Sequence, residues 1–388
     1  MKNTRLMSLS LLVALSSGCA AKLNLEILAP AQITVPDDIQ TIAFVDRSRA
    51  KNVGQGILGA LEGAISGEAI GADTEGRKTA AGGLIALLED SPRFDVVEPA
   101  MSRKELKSTL FDKPMDKELL EKICGPVACE AVVALEAFDS DSSTDFRTQA
   151  GTKTVDGKQV STTEWTAIRR TQVLTAWRFY DVASGSVMDN LRDYKYARTW
   201  EAVGKSRGNA RNNLPGQVKT VKLVGEDAGA NYGRRIAPHY VWVSRPWFGG
   251  GSDEMKLAKK QVKMDNWDAA SEIWRSVSVN GEDATIQGKA HFNLALAAEV
   301  SGDIEGALSE LANAADKFSN TKVRTYMRAL KQRQQDQQQL WEQMKGASEA
   351  PVEDTAPVDD AAPDEAPLAV PGNESAPAEE GAPAPVEE

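Results

Sequence analysis

Two cysteines, Cys124 and Cys129, lie five positions apart around Gly125-Pro126. At this spacing they can form a disulfide that closes a small loop, if the protein matures in an oxidising compartment. The alternative is a pair of small buried thiols at a helix–strand junction. A metal site would need more ligands, and His239 and His291 are distant in sequence; a redox motif usually has two residues between its cysteines. We therefore predict a disulfide, no metal and no cofactor.

Two glycine-containing segments partly match phosphate-binding motifs. Residues 54–59 fit the dinucleotide pattern GxGxxG, but Gly54 lies eight residues after Asp46, inside a segment that is Gly-rich throughout. That motif needs its first Gly at the end of a strand, where the backbone can hold a pyrophosphate. Residues 71–79 read GADTEGRKT, which is one residue too long for a P-loop and follows no strand. Neither segment supports a nucleotide-binding enzyme.

One segment begins like a calcium loop. Its alternating polar side chains are Asp139, Asp141, Ser143 and Asp145. The sixth position of such a loop needs Gly and the twelfth needs Glu, but Thr144 and Ala150 stand there. A polar connecting segment is therefore the better interpretation. The two histidines form no recognisable Ser-His-Asp set, so the sequence favours a protein that is not an enzyme.

The third cysteine, Cys19, closes a segment typical of a secretory signal. Lys2 and Arg5 precede a short apolar run, which is too short to remain as a membrane span. The small residues Ser16-Ser17-Gly18 directly before the cysteine resemble the lipobox of bacterial lipoproteins. That resemblance implies removal of residues 1–18 and acylation of Cys19. The absence of Asp beside the cysteine implies export to the outer membrane, on its periplasmic face.

The net charge of −11 arises from the ends of the chain, and residues 19–348 contribute little to it. Residues 349–388 hold twelve acids and no Lys or Arg, while the signal adds two positive charges, which leaves about −1 for residues 19–348. A nearly neutral body gives no reason to expect nucleic acid as a partner. The Pro/Ala-rich acidic residues 346–388 cannot bury a core, so we predict a disordered tail.

Strand and helix signals alternate between residues 39 and 248, which predicts a small mixed-sheet α/β domain. Residues 19–38 are interpreted as an extended leader, and residues 52–76 as a Gly-rich insertion. Residues 139–158 are interpreted as a polar segment that ends in the hairpin turn Asp156-Gly157. Predicted strands cover 40–46, 94–98, 131–138, 160–180, 187–196 and 240–245; predicted helices cover 77–89, 102–110, 116–123 and 223–236. The segment Gly249-Gly250-Gly251-Ser252 suggests a hinge.

From residue 253 to 345 the hydrophobic period becomes helical and repeats after 37 residues, close to the period of a tetratricopeptide array. A generic pair of helical hairpins is the alternative. Small residues that let paired helices approach closely recur at Ala258, Ala270, Ala295 and Ala307. We expect residues 321–344 to form a terminal covering helix. The candidate partner groove of the repeats is lined by Trp267, Trp274, His291 and Asn293.

Several segments of the first domain resemble a known family. Residues 39–48 (IQTIAFVDRS), 91–99 (SPRFDVVEP) and 129–138 (CEAVVALEAF) resemble the α/β domain of curli-secretion-channel proteins. A similar domain occurs in the N-terminal part of the Tol-system propeller protein and in lipoprotein activators of peptidoglycan synthases. With the helical repeats, the chain resembles bacterial lipoproteins that combine this domain with a C-terminal tetratricopeptide-type domain. The resemblance covers about residues 38–320 and indicates fold more than activity.

One departure from the secretion channels concerns the hairpin around Asp156-Gly157. A membrane-spanning hairpin needs an apolar outward face about ten residues long. One face of this hairpin reads Val160, Thr162, Glu164, Thr166 and Ile168, and the other reads Ser161, Thr163, Trp165, Ala167 and Arg169. Neither face suits lipid, which weakens the hypothesis of a pore.

Together these patterns predict an α+β protein, with a mixed-sheet domain, a tetratricopeptide-like helical domain and a disordered tail. We expect a lipid-anchored, non-catalytic interaction or assembly module of the cell envelope. Its partners would be envelope proteins or peptides, or further copies of itself. The alternatives are an oligomeric component of an outer-membrane secretion or pore assembly, and an envelope hydrolase built from scattered carboxylates.

Overall fold

The computed structural model describes residues 21–49, 71–101, 103–106 and 113–345. Residues 1–20 with Cys19, residues 50–70, 102, 107–112 and 346–388 lie outside the described residues. The predictions for the signal, for most of the Gly-rich insertion, for part of the helix at 102–110 and for the tail fall on them. The strands are β1 (Ala21–Ala29), β2 (Thr41–Arg49), β3 (Asp95–Val97), β4 (Ala131–Val155), β5 (Lys158–Asp181), β6 (Val187–Gly204) and β7 (His239–Trp247). The helices are α1 (Ala72–Asp90), α2 (Arg103–Leu106), α3 (Lys117–Cys124), α4 (Arg207–Asn212), α5 (Gln217–Ile236), α6 (Asp253–Val262), α7 (Trp267–Asn280), α8 (Ala284–Val300), α9 (Ile304–Lys317) and α10 (Thr321–Gln343).

Five strands form a mixed sheet in the order β3-β2-β4-β5-β6. The first three of these are parallel, and β5 and β6 pair antiparallel to their neighbours. Alternate residues of β2 enter different layers: Ile42 packs toward α1 and α5, whereas Val45 packs toward α3. Both faces of the central strands are thus buried, which explains their nearly continuous apolar sequence. The predicted α+β class, with a mixed sheet followed by helices, is confirmed.

The residues interpreted as a leader contain a strand. β1 pairs antiparallel with β7 along its whole length, from Ala21 opposite Trp247 to Ala29 opposite His239. This two-stranded sheet, called the ribbon below, buries Leu25 and Trp247 against the helical region. Leu23, Leu25 and Ile27 alternate with polar residues, which is typical of a half-covered strand, but the leader interpretation did not use that signal. The partner strand lies more than two hundred residues away.

The helical region begins at Ser252, whose side chain accepts a hydrogen bond from the backbone N–H of Met255 and caps α6. The next four helices also have Asn or Asp N-caps that accept a backbone hydrogen bond. The four alanines expected between close helices, at positions 258, 270, 295 and 307, are all fully buried. Successive helices pack against each other from α6 to α10.

Side chains of the helical region also bond the backbone of the preceding region. The Asn293 amide donates to the Phe248 carbonyl (2.7 Å) and accepts from the Phe248 N–H (2.8 Å). Gln343 contacts Ala31 in the same two-way manner, at 3.0 and 2.9 Å. Arg93 donates to the carbonyl of Gln343 at 2.8 Å. These bonds hold the chain on both sides of the glycine run at 249–251, so that run is not a free hinge.

Helices α1 and α5 lie in backbone contact because glycines face each other between them. A Cβ atom at Gly229 would lie 1.8 Å from the carbonyl oxygen of Ala80, and one at Gly83 would lie 2.2 Å from that of Glu226. Real Cβ atoms do not approach backbone this closely, so any larger residue at Gly229 must push the helices apart. The Gly content of these helices, which lowers helix propensity, is therefore a packing requirement.

We predict that Gly229→Ala lowers the free energy of unfolding by about 3 kcal/mol, the upper part of the range for an overpacked core. Gly82→Ala is the matched control, since a Cβ at Gly82 meets nothing within 4 Å. That variant is expected to gain about 0.5–1 kcal/mol from helix propensity. Urea unfolding of both variants measures the difference, and equal stabilities would contradict the close contact.

Candidate interaction site

Strands β4 and β5 continue well beyond the rest of the sheet. Strand β2 pairs with β4 only as far as Ala137. Strand β6 pairs with β5 only as far as Trp165, which lies opposite Gly204. Among the described strands, β4 and β5 pair only with each other from Gln149 opposite Glu164 to Val155 opposite Lys158. Residues 149–164, called the arm below, form seven pairs and extend about 24 Å.

Within the part of the chain that the structure describes, the arm packs on nothing. Every described side chain from Arg147 to Glu164 is exposed. Both outer edges of the arm present backbone N–H and C=O groups that have no strand beside them among the described residues. Unpaired edges are templates for another strand, and proteins usually cover or interrupt them. The arm is therefore a candidate site for binding an extended segment.

The end of β6 opens a groove along one edge of the arm. Ser206 caps α4 by accepting from the Asn209 N–H, and α4 sits so close that a Cβ on Gly204 would lie 2.3 Å from the Ala210 nitrogen. The chain therefore turns away from β5 at this point. The groove that it leaves has a volume of about 860 Å³. Its walls include Thr162, Thr163, Glu164, Gly204, Asn209 and Asn213.

The two faces of the arm differ in charge. By the register of the strands, the charged side chains Lys153, Lys158 and Glu164 share one face. The other face is uncharged and carries Ala150, Thr152, Thr154, Gln159, Ser161 and Thr163. No hydrophobic alternation marks these residues, so the first half of the arm was interpreted as a connecting segment. The Asp156-Gly157 turn, with both residues at positive φ, was the available signal.

Residues 139–145, whose sequence begins like a calcium loop, belong to strand β4 and do not form a loop. Asp139, Asp141, Ser143 and Asp145 are alternate residues of β4, so their side chains follow one face of an extended strand and cannot wrap around an ion. No group of three or more His, Cys, Asp or Glu able to hold a metal occurs among the described residues.

The predicted groove of the helical repeats is wrong in two of its four residues. Trp274 and Asn293 are fully buried, because Trp247 and Phe248 from the end of the ribbon cover them. Trp267 is half-buried and donates from Nε1 to Asp265. His291 lies 2.6 Å from a carboxylate oxygen of Glu310. These side chains anchor the ribbon and the helices, and they do not line one open groove.

The structure places Cys124 and Cys129 in a disulfide, with their Cα atoms 4.7 Å apart. The bond lies between the end of α3 and the start of β4, and both residues are buried. It therefore fastens α3 to the sheet.

Buried carboxylates are engaged by arginine and tyrosine. Glu299 accepts two hydrogen bonds of 2.8 Å from Arg245 and one of 2.9 Å from Arg333, and the Tyr326 hydroxyl donates to it as well. Burial opposes the charged form, but the arginine bonds outweigh it and the pKa of Glu299 is lowered. A carboxylate held ionised and fully bonded is a structural group, and it is poorly suited to accept a proton in catalysis.

Glu136 repeats this arrangement inside the sheet domain. Arg47 bonds it at 3.0 Å and the Tyr180 hydroxyl donates to it at 2.7 Å. Burial and the charge of Glu136 raise the pKa of Tyr180 to about 12. Both clusters are thus internal supports of the core.

Comparison with known proteins gives two family matches. The family described as Domain of unknown function (DUF8603) matches residues 39–248, which contain the arm. The family described as Domain of unknown function (DUF6340) matches residues 256–343, which lie within α6 to α10. No curated protein matches the chain. In the described residues, no helix has the length and apolar character needed to cross a membrane.

We predict that Glu299→Gln lowers the free energy of unfolding by about 3 kcal/mol or more, because it leaves Arg245 and Arg333 buried without a counter-charge. Glu310→Gln is the control; Glu310 pairs with His291 nearer the surface, and its loss is expected to cost no more than about 1 kcal/mol. Denaturant titration of both variants at neutral pH measures this.

The lowered pKa also fixes a pH dependence. The unfolded chain titrates Glu299 near 4.5 and the folded chain titrates it lower, so its stabilising effect is complete above pH 4.5. That effect is lost as the pH falls through the folded value. Unfolding curves measured from pH 6 downward should therefore converge for the wild type and Glu299→Gln, and parallel curves would contradict the assignment.

Proposed function

This chain belongs to the family described as Domain of unknown function (DUF8603), and we propose that it is a lipid-anchored, non-catalytic interaction module of the bacterial envelope. In this proposal the arm binds an extended segment of a partner envelope protein by adding it as a strand. The observation that carries the proposal is the length of arm with two open edges and no packing partner in the described part of the chain.

The energetics of the arm favour a bound state. A two-stranded hairpin with no covered face is at best marginally stable in water. An added strand would satisfy the edge groups along β5 and would order the arm at the same time. The polar side chains of the arm keep the free edges soluble until the partner arrives. Main-chain pairing gives affinity, while the groove beside Thr162 and Asn209 offers a place for side chains of the partner.

The anchor would act close to the folded body. Cys19 precedes Ala21, the first residue of β1, by only two positions. An acyl group on Cys19 would thus hold the end of the ribbon within about 7 Å of the attachment point. Two or more acyl chains retain a protein at a bilayer almost permanently. Confinement raises the effective concentration of partners in the same membrane without any added contact.

Self-association through the arm is the second candidate. The two open edges belong to different strands, so the β4 edge of one copy can pair with the β5 edge of the next. Such a head-to-tail contact closes into a ring when its rotation permits. This is the form that an oligomeric secretion component would take.

We predict that replacing Cys19 with Ser abolishes incorporation of labelled palmitate and releases the mature protein from the membrane fraction. Incorporation of label into Cys19→Ser at the wild-type level would exclude this residue as the anchor. The circular dichroism of the released protein should be unchanged, since the anchor contributes no packing in the proposed arrangement.

We predict that a shortened arm abolishes partner binding and leaves the body folded. Deletion of residues 149–154 and 159–164 keeps the Asp156-Gly157 turn and the alternation of faces, because an even number is removed from each strand. The midpoint of thermal unfolding should move by no more than about 2 °C, since surface changes away from packed features are nearly neutral. In-cell photocrosslinking from position 166, which both variants keep, should then lose the partners captured by the full-length arm.

Proline substitutions separate strand addition from side-chain contact. Neighbouring amides of an antiparallel strand point to opposite sides, so of Thr162→Pro and Thr163→Pro, one removes an outward donor and the other disrupts the arm itself. Both should bind less than Thr162→Ala and Thr163→Ala.

Crosslinks between copies, with a particle mass that falls when the arm is shortened, would favour the ring. Undiminished capture by the shortened arm would overturn both candidates.

A further inference from the structure

A small pocket lies between the end of α5, β6 and the loop that follows β1. Its volume is about 270 Å³. The polar side chains on its walls are Gln32, Tyr194, Asn231, Arg234, Arg235 and His239. It shares no residue with the arm or its groove, so its role is separate from the proposed strand addition.

One wall of the pocket is a rigid, neutralised frame. Arg235 bonds both carboxylate oxygens of Asp189, at 2.9 and 3.0 Å, and bonds Gln32 at 2.9 Å. The Tyr232 hydroxyl donates to the same carboxylate at 3.2 Å, and its ring stacks on Trp177 at 4.9 Å. All three nitrogens of the Arg235 guanidinium are therefore in use. This arginine supports the pocket and brings no free charge to it.

Arg234 differs from its neighbour. It is exposed, and its hydrogen bond is a single contact of 3.2 Å from Nη1 to Asn231. Among the described residues it forms no ion pair within bonding distance. Asp227 interacts with Arg234 electrostatically, but its carboxylate is already paired with Arg198 at 2.9 Å. Arg234 therefore offers the pocket one positive charge with free donors.

Two further groups of the pocket interact electrostatically with Arg234. Burial raises the pKa of the Tyr194 hydroxyl, which stays protonated and can donate a hydrogen bond. Burial lowers the pKa of His239, which is therefore neutral at pH 7, and its Nδ1 lies 3.2 Å from the Ala237 carbonyl. One cation, one hydroxyl donor and one neutral ring match an anion of a single charge. A doubly charged phosphate would lack its second cation, because Arg235 is neutralised.

We propose that this pocket binds a carboxylate, with Arg234 as its charged contact and Tyr194 as a hydrogen-bond donor. Two sources share that chemistry: an acidic side chain of this same chain, or a carboxylate of another molecule. The chain's own source is close in sequence. Gln343 bonds Ala31, which stands between the pocket residues Pro30 and Gln32. Three acids, Glu349, Glu353 and Asp354, follow within eleven positions of Gln343.

The experiment uses the two histidines as probe and internal control. The full mature chain, labelled at histidine, shows two ring signals by NMR, from His239 in the pocket and His291 in the helical region. The added probe is an end-blocked peptide with the sequence of residues 349–357, and the matched control peptide carries amides in place of its acids. Binding should shift the His239 signal and leave that of His291 unchanged. The amide peptide should shift neither.

Variants of the full chain identify the residue and the source. Arg234→Gln should weaken the peptide about tenfold or more, the loss expected for one charge-assisted hydrogen bond, and Arg234→Lys should lose less. A second variant carries Glu349→Gln, Glu353→Gln and Asp354→Asn together. If the chain's own acids occupy the pocket, this variant shows a shifted His239 signal before any addition and binds the peptide more tightly than wild type. Equal binding by both identifies an external carboxylate.

Either source supports the site. A His239 signal that ignores the acidic peptide in both chains, and is the same in both before addition, overturns it. An unchanged affinity for the peptide in Arg234→Gln also overturns it, because Arg234 would then not be the contact. The thermal midpoint of each variant confirms that the pocket is still folded. None of these results depends on the arm, so they stand whether or not strand addition is found.

Discussion

The carboxylate of Glu299 is the interaction on which the assembly of this protein depends. It lies where β7, α8 and α10 meet. Helix α8 carries the carboxylate itself, β7 supplies Arg245, and α10 supplies Tyr326 and Arg333. A buried carboxylate is tolerated only when its oxygens are fully bonded. The ribbon must therefore lie in one position against the helices, and the bonds of Asn293 to Phe248 and of Gln343 to Ala31 follow from that position.

The arm presents the opposite situation. In the body, the buried carboxylates of Glu136, Asp189 and Glu299 are bonded to arginines within the chain. In the arm, the outer backbone groups find no strand among the described residues. The open edges of the arm therefore offer backbone groups to which another strand could pair. For this reason, the arm is the part of the molecule where a partner strand would add the most backbone hydrogen bonds.

The sequence was sufficient to predict a strand or helix wherever burial produces a regular pattern of apolar or small residues. The dense apolar run at 131–138 and the four recurring alanines predicted the central strand and the close helices, and both are buried as expected. Prediction failed where structure depends on distant residues or lacks an apolar face. β1 needs β7, and the far half of β4 is polar on both faces. Trp274 and Asn293 have the residue types of a binding groove, but residues 247–248 arrive from outside their repeat and cover them.

The pairing of β1 with β7 also has a consequence for the order of folding. Even the nearest pair in sequence, Ala29 with His239, is separated by 210 positions. Closing so long a loop is entropically costly until the intervening domain is compact, so contacts of this kind form late. β1, which precedes the other described strands in the chain, is thus expected to find its place late. In an exported chain held by its N-terminus, β1 would wait at the membrane while the rest of the molecule folds, and its capture by β7 would complete maturation.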